Sequence, residues 1–72
     1  MPHAARPARY AIRLRGQLGA TLLTAFPGLH AEVRAGETVL AGDLPDQAAL
    51  HGVLAQIEAL GLELLEVRRD GS

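Results

Sequence analysis

The sequence predicts an α+β domain of the ferredoxin-like kind, a βαββαβ two-layer sandwich. In that arrangement a four-stranded antiparallel sheet is covered on one face by one long and one short helix. Three observations carry the prediction. Segments with an apolar residue at every second position stand near both ends of the chain and as a pair in the middle. The middle pair is divided by Ala35-Gly36, a short reversal. One long stretch of helical period, residues 46–60, precedes the last alternating segment.

Taken in order, residues 10–15 place Tyr10, Ile12 and Leu14 on one side of a strand and Ala11, Arg13 and Arg15 on the other, and Gly16 ends it. Leu18, Leu22 and Phe26 then recur at helical spacing with Leu23 alongside, which predicts a short helix over 18–26. Pro27 stops that helix, because the residue before proline is pushed out of helical geometry. Residues 30–35 alternate again, and Gly36 supplies the positive φ a hairpin turn demands, so residues 38–42 form the returning arm. Pro45 ends the arm and Asp46 is a natural N-cap. Leu50, Val53, Leu54, Ile57 and Leu60 fall on one narrow stripe, the face expected to lie on the sheet. Gly61 stands where a left-handed C′ residue belongs, and Leu62 is placed to touch Ile57. Residues 64–68 make the last strand, with Leu65 and Val67 inward and Glu66 and Arg68 outward; Leu64 fits neither face. On this reading residues 1–8 are a disordered lead-in, 9–69 a single domain and 70–72 a tail.

The size of that domain limits what it can do alone. A chain of 72 residues with Tyr10 and Phe26 as its only rings builds a small core. Domains near this length bury only about 60% of their unfolded surface. Such scaffolds usually add disulfides, a metal or a partner subunit. Cysteine is absent, which removes disulfides, thiolate metal sites and a catalytic thiol. Association with another copy is therefore the expected supplement, most simply a homodimer.

Charge excludes further classes. The formal net charge is −1, too small for binding a polyanion through bulk charge. It is unevenly spread: Arg6, Arg9, Arg13 and Arg15 precede the first acid, Glu32, and the acids follow. A basic front and an acidic back fit complementary faces between subunits; an Arg arm on nucleic acid is the weaker alternative. The longest stretch without a full charge, residues 16–31, is shorter than the roughly 20 apolar residues a membrane span needs. No signal-peptide core stands at the front, so the expected location is the cytoplasm.

The helix at 46–60 carries the most informative surface. At about 100° per residue, the face opposite its leucine stripe holds Ala48, Gly52, Ala55 and Ala59. Between residues 47 and 60 the single full charge is Glu58. Alanine alone could reflect helix propensity, but a mid-helix glycine costs roughly 0.5–1 kcal/mol relative to alanine. Small residues on one face let a second backbone approach, so this is the expected interaction surface. The outer sheet face should carry Arg13, Arg15, Glu32, Arg34, Glu66 and Arg68, mixed in sign and without the aromatic rings on which RNA-recognition sheets stack bases.

Catalytic chemistry finds little footing. His51 has no His or Asp three or four residues on, and His30 stands alone at a strand start. Asp43 and Asp46 flank Pro45 as turn and cap residues. Gly16-Gln-Leu-Gly19 lacks the GxGxxG spacing of a phosphate loop. No catalytic, metal-ligating or cofactor-binding residue is assigned, and no cofactor is expected. Were the protein a small dimeric enzyme or ligand-binding protein, the pocket candidates would be His51, Arg13 and Arg15. The third function class is the Arg-arm nucleic-acid binder.

One stretch resembles a known family. Thr38-Val-Leu40, Gly42, Asp46-Gln-Ala-Ala-Leu-His-Gly52 and Leu60-Gly-Leu62 form a pattern similar to that of short uncharacterised proteins from actinobacteria and other GC-rich bacteria, over residues 10–69. The resemblance implies a complete small protein and brings no activity with it. The resulting expectation is a self-associating binding or regulatory module rather than an enzyme, with its small-molecule ligand, if any, unassigned.

Overall fold

The computed structural model describes residues 8–70. Its elements are β1 (Ala8–Arg15), α1 (Ala20–Leu23), β2 (His30–Arg34), β3 (Glu37–Leu44), α2 (Gln47–Ala59) and β4 (Leu64–Asp70). The four strands form one open sheet in the order β2-β3-β1-β4, and every neighbouring pair is antiparallel. The fold is α+β, with both helices over the same face.

β1 is central because its alternation is the cleanest in the chain. Ala8, Tyr10, Ile12 and Leu14 are buried, while Arg9, Arg13 and Arg15 are exposed. Ala8, expected in the lead-in, instead opens the strand opposite Leu44. The rest of that lead-in and residues 71–72 of the expected tail lie outside the described residues. β3 runs beyond the expected 38–42 and presents Thr38, Leu40, Gly42 and Leu44 to the interior. Gly42 is required there: a Cβ would stand 2.7 Å from the Gly28 carbonyl oxygen and 2.9 Å from Leu29 Cδ2. The hairpin turns at Ala35 and Gly36, at φ of 50° and 79°, so both central residues take the positive φ of a primed turn.

The two crossovers differ in kind. α2 is fully specified by its ends. Asp46 Oδ1 accepts the Ala49 N–H at 2.8 Å, closing the N-terminus. At the other end Leu62 N–H donates to Ile57 O at 3.1 Å and Gly61 N–H to Glu58 O at 3.0 Å, with Gly61 at φ 73°. That pair of bonds is the Schellman ending the spacing predicts. α1 is one turn, not the nine-residue helix expected over 18–26. Its N-cap is Gly19, which offers no side-chain cap. Thr24 Oγ1 donates to its own preceding turn at Thr21 O, 2.6 Å away, and the N–H groups of Thr24, Ala25 and Phe26 bond three residues back. The segment thus tightens into turns before Pro27. Its apolar spacing still works, because Leu18 and Phe26 are both buried in the core.

β4 also departs from simple alternation. Arg13 pairs with Glu66 and Leu14 with Leu64, which leaves Leu65 as the extra residue of a bulge. This is why Leu64 fits neither face on paper. Val67 lies opposite Ile12 on the helix-covered face as expected, yet it is 37% exposed.

The core is a layer one side chain deep. Ile12, Leu14, Leu18, Phe26, Leu40 and Ile57 form its centre, and Ala8, Tyr10 and Leu44 extend it towards the start of α2. Among the described residues Thr38 is the single buried polar one: its hydroxyl donates to Gly16 O at 2.7 Å and accepts the Leu18 N–H at 3.1 Å. Helical cover reaches β1 and β3 but thins over both edges. Ala31 and Val33 of β2 face the helix side, opposite Leu40 and Thr38, and are exposed nonetheless.

Candidate interaction surface

α2 presents two faces whose fates differ from expectation in opposite directions. Ala48, Gly52, Ala55 and Ala59 are all exposed, as an outward face should be. A Cβ on Gly52 would meet nothing within 4 Å, so no close approach among the described residues accounts for that glycine. The leucine stripe, by contrast, is incompletely covered. Of Leu50, Val53, Leu54, Ile57 and Leu60, only Ile57 is fully buried, and Leu60 is 37% exposed.

The physical cause is the width of the helical layer. α2 packs through Ile57 on the core of β1 and β3, and the segment after α1, Ala25 to Gly28, lies along one flank of it, so the flank towards β4 has α2 alone for cover. An apolar groove of about 500 Å³ is left between α2 and the start of β4. Leu54, Ile57, Leu62 and Leu64 supply its apolar lining, Ala55 lines it as well, and His51 and Glu58 are its polar groups. Leu64, at 43% exposure, and Val67 continue the apolar surface along β4. A second, more polar groove of about 610 Å³ lies on the other flank of α2, between Gly52 and Gln56 and the loop at Pro27 and Gly28.

Of the sequence-derived pocket candidates, only His51 reaches the first groove. Arg13 and Arg15 stand on the opposite face of the sheet and correct that part of the expectation, since side chains one residue from Ile12 and Leu14 must point away from them. They are engaged there. Arg13 pairs with Glu37 at 3.5 Å and Glu66 at 3.4 Å, and Arg15 Nε donates to Glu63 at 3.0 Å. Arg34 pairs with Glu32 at 3.3 Å. The outer face is thus mixed in sign, as expected, and its exposed pairs are each worth at most about 1 kcal/mol.

His30 lies on that outer face, opposite Ala41. Among the described residues no three of His, Asp and Glu group closely enough to hold a metal ion, and no helix is long and apolar enough to cross a membrane. Every buried side-chain nitrogen or oxygen among them has a hydrogen-bond partner. Sequence reasoning missed the exposure of Leu60, Leu64 and Val67. The sequence showed only that Leu64 fits neither face of β4; its loss of cover depends on the register against β1.

No curated protein and no solved structure matches the chain. A family model does, over residues 9–68, and its description is Domain of unknown function (DUF8691). That span takes in every element except the outermost residues of β1 and β4, and the chain therefore belongs to this uncharacterised family.

Proposed function

We propose that this protein is a small self-associating module that binds or regulates rather than catalyses, working as a homodimer. The observation that supports this is the under-covered α2. Its apolar stripe is largely half-buried, its outward face is Ala48, Gly52, Ala55 and Ala59, and Leu60, Leu64 and Val67 stand exposed beside it. Burying the exposed remainder of each such large side chain is worth about 1 kcal/mol. A core this small gains much from that. The βαββαβ element order, with β1 and β3 inside and β2 and β4 at the edges, fits the ferredoxin-like arrangement, with a first helix cut to one turn.

A second reading is a ligand-binding protein that uses the groove beside His51. The volume favours it, since about 500 Å³ lies within the range of small-molecule sites. The shortage of converging polar groups weighs against it, because Arg13 and Arg15 point away. Light scattering at micromolar concentration tests the first reading: twice the chain mass is expected, and a strict monomer overturns it. Thermal-shift screening of metabolites against the protein and its His51→Ala variant tests the second, which requires a stabilising ligand lost in the variant.

A further inference from the structure

The groove between α2 and β4 has two polar side chains, His51 and Glu58, on its helical wall. His51 and Glu58 are seven residues apart, close to two full helical turns, so they project from the same flank of α2. Both line the groove, and Leu54 and Ala55 stand midway between them. Two copies of this flank laid antiparallel set an imidazole against a carboxylate on each side of Leu54 and Ala55. A two-fold interface pairs residue i with j and j with i, and this flank satisfies that condition with itself.

We propose that the groove is filled by α2 of a second copy, crossing antiparallel about a two-fold axis between Leu54 and Ala55. This rests on the self-association reading above and specifies its seat. The arrangement sets His51 against Glu58 of the partner subunit, and Glu58 against the partner's His51. The imidazole donates to the carboxylate in either of its protonation states. Ala55 at the crossing lets the axes approach to about 8 Å, the lower end of helix packing. Leu54, Leu62 and Leu64, which line the groove, gain cover there. The seat is the flank of α2, about 90° round from the Ala48, Gly52, Ala59 back of the helix.

Charge reversal tests this seat. His51→Glu faces two like-charged pairs across the axis and is expected to raise the dimer dissociation constant about tenfold or more. Glu58→Arg is expected to weaken the dimer by removing the carboxylate that accepts from the partner's imidazole. The double variant His51→Glu/Glu58→Arg restores opposite charges between subunits and should recover the dimer. Within one chain the two positions are about 10 Å apart along the helix, too far to rescue each other directly. Gly52→Arg, about 100° round α2 from His51 and outside this groove, is expected to leave the dimer intact. All three positions of substitution are solvent-exposed, and circular dichroism verifies that each variant is folded. Dimers that ignore both single reversals, or that dissociate with Gly52→Arg, overturn this seat while leaving self-association standing. A monomeric parent protein overturns both.

Discussion

Ile12 and Arg13 are neighbours in one strand and belong to two different surfaces. Ile12 has no exposed area and packs with Leu14, Leu40, Phe26 and Ile57 under α2. Arg13 points the other way and holds Glu37 and Glu66 on an open face where every partner is wet. Much of the outer face is answered within the chain: Arg13 from β3 and β4, Arg15 from Glu63 and Arg34 from Glu32. The helix face is strongly held at β1 and β3 and poorly held at β2 and β4. The difference teaches where the fold's stability lies and where it has surface left to offer a partner.

The sharpest way to break that comparison is Ile12→Ala. Removing a fully buried side chain costs about 2–5 kcal/mol, a large share of a small domain's stability, and denaturant titration should show an unfolded or barely folded protein. Thr38→Val keeps the shape but strands the Gly16 carbonyl and the Leu18 N–H. Its expected cost is about 1–3 kcal/mol, read as a lower denaturation midpoint with unchanged slope. Asp46→Ala removes the N-cap of α2 and should cost about 1 kcal/mol in the same titration. Arg13→Ala should change stability by less than about 1 kcal/mol, with the difference vanishing in high salt. If Arg13→Ala proved as damaging as Thr38→Val, the contrast between the faces would be lost.

Legibility followed the range of the interactions. The cap at Asp46, the Schellman ending at Gly61 and the turn at Ala35-Gly36 are local devices, each written in a few adjacent residues, and each formed where the spacing placed it. The alternation of β1 likewise assigned its inner and outer faces correctly. The extent of α1 was misread, because Leu18, Leu22 and Phe26 satisfy a helical pattern that one turn and a run of tight bends satisfy equally well. The bulge at Leu65 was not readable, since it depends on how β4 registers against Arg13 and Leu14. Nor was the role of Thr38, whose hydroxyl ties together Gly16 and Leu18, some 20 residues away.

The sequence by itself determined the order of elements, the two faces of β1, the capped ends of α2 and the absence of any thiol chemistry. These rest on side-chain periodicity and on backbone conformations that single residues impose. Only the tertiary structure decided how much of each apolar face is covered. Cover depends on the width of the helical layer against the width of the sheet, and on the flank towards β4 that layer is α2 alone. The same folding sent Arg13 and Arg15 to the far side from His51 and left Leu64 and Val67 beside an open groove. Periodicity says which residues want to be buried; three-dimensional packing alone says which of them are still waiting for a partner.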